Sequence, residues 1–141
     1  MAEPLGILGL ARKARALELG AEFSGAAARA RKARLLLLSQ DASENTKSRA
    51  ENFARAGNVQ LLPVPYTMYE LGGAVGAQAT AVLAFTDAGL AAAFVKALSV
   101  REPELYAELL AELTAKSEKL LKRRRETQRK AAAGKRRNMH G

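Results

Sequence analysis

LLLLSQDASENTK, Leu35–Lys47, is the stretch whose reading decides the fold. Leu35 to Leu38 are apolar without interruption, which suits a strand buried on both faces. Ser39, Gln40 and Asp41 break the run. Ser43 then offers a hydroxyl that can accept one of the backbone N–H groups left unpaired in the first turn of a helix. Strand, tight turn, helix start is the joint of an α/β layer protein. The carboxyl ends of buried strands are where such folds often place a binding site.

Working outward, the N-terminal side reads as a helix over Pro4–Arg15, with Leu5, Ile7, Leu8, Ala11 and Ala14 as its apolar stripe and Arg12, Lys13 and Arg15 at its end. A short strand, Ala16–Leu19, and a turn at Gly20 follow. An Ala-rich helix over Ala21–Arg34 is expected next, its last turn crowded by Arg29, Arg31, Lys32 and Arg34 as a compact positive edge. On the C-terminal side, Ser43–Ala56 reads as a helix ended by Gly57-Asn58. Val59–Pro65 reads as a strand that Pro63 and Pro65 place at a sheet margin. Thr67 can cap a short helix, Met68–Val75; Thr80–Thr86 is a further buried strand, and Asp87 caps Ala88–Leu98. Alternating strands and helices predict an α/β sandwich with a largely parallel sheet.

From Ser99 the composition changes. Pro103 suits a first helical turn. Leucines 105, 109, 110, 113, 120 and 121 recur at helical steps, predicting a long amphipathic helix from Glu104 to about Lys130. Lys119–Arg137 holds 10 basic residues against one acid, Glu126. Residues 131–141 lack apolar periodicity, and a disordered basic tail is expected there. The expected division is therefore a domain over 1–98, a basic amphipathic helix over 99–130 and the tail over 131–141.

The 141 residues carry a net charge of +9, with a pI near 10.3. Residues 1–98 have 11 Lys/Arg against 8 Asp/Glu, and residues 99–141 have 12 against 6, so most of the excess lies in the last third. Such a balance suits a polyanion, nucleic acid foremost; a membrane surface fits poorly because no segment pairs a basic face with bulky aromatics.

Enzyme chemistry finds little support. There is no Cys and the sole histidine is His140, so neither a thiolate nor a histidine-based triad or metal cluster can be built. Neither GxxxxGK nor GxGxxG occurs. Asp41, Glu44 and Asp87 could meet at strand ends, but nothing else points to acid/base work. No cofactor or metal is expected. No apolar run approaches the roughly 18 residues of a membrane span, and Met1–Leu10 lacks the features of a signal peptide. A cytoplasmic protein is the expectation.

Four segments carry a resemblance: LGLARKARALELG (Leu8–Gly20), LLLLSQDASENTK (Leu35–Lys47), ELGGAVG (Glu70–Gly76) and VLAFTDAGLA (Val82–Ala91). Over about residues 5–98 the chain resembles the kink-turn-binding ribosomal proteins, the archaeal L-seven-Ae and L-thirty-e type, and especially their bacterial YlxQ-type relatives. That resemblance implies a three-layer α/β/α sandwich around a mixed four-stranded sheet, with the long C-terminal helix outside it. It also implies RNA held at one edge. The helix after Gly20 would enter the kinked RNA, with Glu22, Arg29, Arg31, Lys32 and Lys47 nearby, and a loop matching Leu71, Gly72, Gly73, Ala74 and Val75 would cover an extruded base. The chain departs from the family where Glu22 and Phe23 replace an Asn-Glu pair and Ala26 replaces a lysine, changes that weaken contact with an anionic ligand.

The resulting expectation is a non-enzymatic RNA-binding protein for ribosomal or other structured RNA. The rival is an interaction module whose C-terminal leucine stripe docks a ribosomal or other protein partner. RNA binding predicts that the cations of Ala21–Arg34 and the Gly72 edge form one surface; the rival predicts an exposed apolar strip.

Overall fold

The computed structural model describes residues 3–100 and 102–140, with side-chain surroundings as far as Ala132. In chain order the elements are α1 (Pro4–Lys13), β1 (Leu17–Leu19), α2 (Gly20–Arg29), β2 (Leu35–Leu38), α3 (Glu44–Gly57), β3 (Leu61–Pro63), α4 (Met68–Val75), β4 (Val82–Phe85), α5 (Ala88–Ser99) and α6 (Pro103–His140).

The four strands form one sheet in the order β1-β4-β2-β3. Only β2 and β3 pair in parallel; β4 runs antiparallel to both β1 and β2, with Leu17 and Leu35 both opposite Phe85. The sheet is mixed, as the family resemblance implied, and not largely parallel, as the alternation of elements suggested. The reason lies after β3. α4 is only 8 residues long, and its C-terminal segment folds back along it: Ala77 N–H donates to Gly72 O and Thr80 N–H to Met68 O, both at 2.8 Å. The chain is thereby returned to the sheet end it had just left, and β4 must start from there. Pro63 does lie on a margin, since β3 is an edge strand.

Two residue faces of β2 explain the layers. Leu35 and Leu37, with Leu83 and Phe85 of β4, pack against α1, α4, α5 and α6. Leu36 and Ala84 meet α2 and α3, and Leu38 and Val82 meet Ala50 of α3. All four leucines are at most 4% exposed, so truncating any of them to Ala is expected to cost about 2–5 kcal/mol.

The predicted caps form. Ser43 accepts from Thr46 N–H, Asp87 from Leu90 N–H, and Thr67 and Glu70 form a reciprocal capping box. α3 closes on Asn58 in the left-handed region.

α2 stops at Arg29, short of the predicted Arg34. Arg31 takes φ 60°, and Lys32 N–H reaches back to Ala27 O at 2.9 Å. The same closure ends α1, where Arg15 has φ 58° and Ala16 N–H donates to Ala11 O at 2.8 Å. Both are left-handed helix ends of the kind glycine usually occupies, here held by arginines. Arg31, Lys32 and Arg34 consequently lie in the connection to β2 and not on a helical turn.

α6 starts with its leucines on the domain. Tyr106 and Leu113 are buried in the same core as Leu8 and Phe94, with Leu109 and Leu110 packed against it. Burial pushes the Tyr106 phenol above its usual pKa, and the nearby Glu102 adds to the effect. From Leu121 to Ala132 every residue is exposed. The helix runs on to His140, past the boundary at 130 read from periodicity. Ala, Lys, Arg and Gln are strong helix formers, so the segment can stay helical without a surface to lie on.

Candidate nucleic-acid interface

β1, β2 and β3 point one way and β4 the other. Four segments therefore meet at one end of the sheet: the start of α2, the turn after β2, the turn after β3 and the segment leading into β4. At this Gly20 end, Ser39 N–H donates to Ala81 O, Gln40 N–H to Tyr66 O, and Met68 N–H to the Asp41 carboxylate at 2.8 Å. Gly20 has φ 88°, which lets β1 turn directly into α2. Lys47 lies just inside α3 and is exposed. Ser39 Oγ is buried with no hydrogen-bond partner among the described residues.

Large apolar surface is also present here. Phe23, in the first turn and a half of α2, is 64% exposed, and Tyr69, in the first turn of α4, is 68% exposed. Tyr69 was legible in hindsight: Leu71, Gly72 and Val75 are the buried face of α4, so helical spacing turns position 69 outward.

The expected base-covering segment is different in kind. Leu71–Val75 is not a loop but part of α4, and Leu71 at 0% and Val75 at 4% exposure belong to the core. Their side chains cannot cover a base. The irregular segment here is residues 76–81, which starts at Gly76 with φ 75°. A Cβ on Gly72 would come within 2.8 Å of Gln78 O, so this glycine lets α4 and that segment touch; a Cβ on Gly73 would meet nothing within 4 Å. Ala74 is half-buried. Arg12 of α1 donates a hydrogen bond to Val75 O, tying α4 to α1.

The expected positive edge is split. α2 carries the chain about 15 Å along the sheet, so Arg31 and Lys32 sit at the opposite end from Gly20. Arg34 N–H donates to Phe85 O, and Thr86 N–H to Ala16 O, at that far end. Arg29 lies on the flank, its guanidinium 5.7 Å from the Phe53 ring centre, with Arg49 at 5.8 Å from the same ring. The cations of Ala21–Arg34 and the Gly72 edge are thus not one surface. Glu22, Asp41, Glu44 and Glu70 are all exposed at the Gly20 end beside Lys47. Asp41 and Asp87 also occupy opposite ends of the sheet, each accepting a helix-start N–H, so the three carboxylates do not assemble. Among the described residues no cluster of His, Asp or Glu is placed to hold a metal ion, and no helix is long and apolar enough to cross a membrane.

A profile of the Ribosomal protein L7Ae/L30e/S12e/Gadd45 family matches residues 5–95. The chain belongs to this family. Among solved structures, a protein of unknown function from Bacillus halodurans is 28% identical over 70% of this chain and 99% of its own, with a TM-score of 0.63. The Giardia lamblia 15.5 kD RNA-binding protein shares the fold at 17% identity and a TM-score of 0.52, over 82% of this chain and 85% of its own. Comparison with curated proteins found no significant match. The L7Ae-type match stops inside α5, so α6 lies outside what the family profile covers.

Proposed function

We propose that this L7Ae-family chain is a non-enzymatic, cytoplasmic RNA-binding protein that grips structured RNA, kink-turn-like or ribosomal, at its Gly20 end. The observation that carries the reading is where the family motifs fall. Gly20, the turn within LLLLSQDASENTK and the segment leaving ELGGAVG come from distant parts of the matched region and converge on one end of the sheet. That end offers backbone groups from several turns together with two exposed aromatic rings, Phe23 and Tyr69. Splayed RNA bases stack on such rings, while phosphates are held by backbone N–H groups and cations. Glu22 and Ala26 reduce the attraction for phosphate, and the basic second half of α6 supplies a sequence-independent electrostatic term in its place.

The rival role for α6 loses its main feature. Leu109, Leu110 and Leu113 pack on the chain's own core, leaving Leu105 and Leu121 as the exposed leucines of the stripe.

The test is a titration of a kink-turn hairpin against a plain duplex of equal length. Tighter binding to the hairpin, lost on Phe23→Ala, is the expected result. Equal affinity for both removes kink-turn preference, and absence of binding to either at low salt removes the RNA reading.

A further inference from the structure

We propose that the Arg34 end of the sheet is a second RNA site, one that takes the phosphate backbone of a duplex segment, so that one molecule holds two RNA segments at opposite ends. This rests on the reading of the chain as RNA-binding, but it places a separate surface where the family motifs do not converge.

Backbone pairing brings the residues of this end together. Thr86, at the end of β4, is held between Ala16 and the Phe85–Arg34 bond. Arg15 therefore lies to one side of it and Arg34, Lys32 and Arg31 to the other. α6 begins at the Gly20 end, passes β3 and leaves here, with Ser117 beside Gly89 at the start of α5. Leu113, Ser117, Leu120 and Arg124 share one face of α6 by helical spacing. Arg124 thereby enters a groove with Arg34, Thr86 and Asp87. Lys119, Lys122, Arg123, Arg125, Arg129 and Lys130 occupy the remaining directions of the exposed helix.

These charges are left unneutralised. Among the described residues the ion pair formed is Lys116–Glu112 at 3.8 Å, and none involves Arg15, Arg31, Lys32, Arg34 or the cations beyond Lys116. Asp87 is the carboxylate facing the groove, and its Oδ2 accepts from Leu90 N–H.

The backbone supplies an independent sign. Arg15 and Arg31 both hold φ near +60°, a conformation that disfavours most residues other than glycine and asparagine and that tends to persist where function uses it. Both lie at this end of the sheet, and both present an exposed guanidinium. The long side chain, not the backbone turn, is what glycine would fail to provide.

The partner follows from what is missing. The exposed large apolar residues are Leu10, Phe23, Tyr69, Val100, Leu105 and Leu121, so no exposed aromatic ring accompanies these cations among the described residues. A site for single strands pairs cations with stacking rings. Cations alone fit the dense phosphate array of a duplex, read by backbone and not by base.

The experiment uses the full chain, a donor-labelled kink-turn hairpin and an acceptor-labelled plain RNA duplex. Energy transfer within one complex, with duplex affinity unchanged when one equivalent of hairpin is bound, is expected; displacement of the duplex by that single equivalent overturns the proposal. The Arg15→Gly/Arg31→Gly variant should melt at or above the wild-type temperature. Its log–log salt slope for the duplex should fall by about 2, at about 0.9 per lost phosphate contact, with hairpin-specific binding kept. The Arg15→Asn/Arg31→Asn pair, also tolerant of positive φ, should behave alike if the glycine pair folds poorly. An unchanged duplex slope in a folded variant overturns the second site while leaving the Gly20 reading intact. A hairpin bound no better than duplex removes that reading instead, and the slope still decides this one. Binding of poly-aspartate as tight as that of the duplex overturns it in favour of an acidic protein.

Discussion

The two ends of the sheet are built from the same strands and differ in chemistry. The Gly20 end gathers turns, two exposed aromatic rings and four exposed carboxylates, Glu22, Asp41, Glu44 and Glu70. The Arg34 end gathers Arg15, Arg31, Lys32 and Arg34 beside the departing α6. Within one small domain, the end with exposed rings and turns and the end with clustered cations are separated by the length of α2. The net positive charge therefore suits a polyanion, but the cations that carry it do not lie at the end where the family motifs converge.

The strongest way to break this division is to remove the arm. Deleting residues 119–141 takes away the run of 10 cations and one acid in Lys119–Arg137. If half of those cations meet phosphates, the duplex salt slope should shrink by about 4 to 5, which is several orders of magnitude in affinity between low and moderate salt. Hairpin preference over duplex should survive. Loss of that preference together with the slope would show that the two ends are not separate.

A smaller effect is expected from the rings. Phe23→Ala and Tyr69→Ala should each weaken hairpin binding by about 1–3 kcal/mol where a base stacks on them, with no change for duplex. Both side chains are mostly exposed, so the melting temperature should hold; calorimetry beside the titration checks it.

The glycines of α4 sharpen the comparison further. Gly72→Ala should lower stability by about 1–3 kcal/mol, as overpacking does, because its Cβ would press on Gln78 O. Gly73→Ala faces open space and sits in a helix interior, so it should stabilise by about 0.5–1 kcal/mol. A loss of hairpin affinity in the stable Gly73 variant would place RNA against that face; unchanged affinity would move the contact to residues 76–81.

The smallest effect concerns Glu22. Glu22→Gln removes one exposed carboxylate from the Gly20 end, and hairpin affinity should rise a few-fold at low salt, on the scale of about 0.2–1 kcal/mol for an exposed charge. The gain should fade as salt rises, since exposed charges are screened. An affinity unaffected at any salt would put Glu22 outside the interface.

Much of the fold could be read from local signals because it is locally determined. Leu35–Leu38 had to be buried, and Ser43, Thr67 and Asp87 had the right atoms to cap what followed them. What escaped reading depends on partners remote in sequence. β4 runs antiparallel because the segment after Gly76 folds back on α4, which no strand pattern reveals. α2 looked longer because Arg31 stands where glycine would have announced the helix end. That one difference moved Arg31 and Lys32 from a helical turn into the connection to β2, while the length of α2 is what sets them at the far end from Gly20. At the candidate site, Gly20 and the turn after β2 were legible as chain reversals, whereas Leu71 and Val75 carried two conflicting readings. Their helical spacing marked a buried face, and the core position is what the fold honours.

The packing of Tyr106 and Leu113 into the central core bears on how the chain is made. Synthesis runs from the N-terminus, so every strand exists before the residues that finish the core. During that interval β3 is an edge strand with its flank open, because α6 has not yet come to run beside Gln60, Leu62 and Pro63. An uncovered edge invites pairing with another chain, and partly folded intermediates are where such errors arise. The helix that carries the cations outward is thus also the last piece of the domain to close, and a chain ending at residue 98 would remain in that vulnerable state.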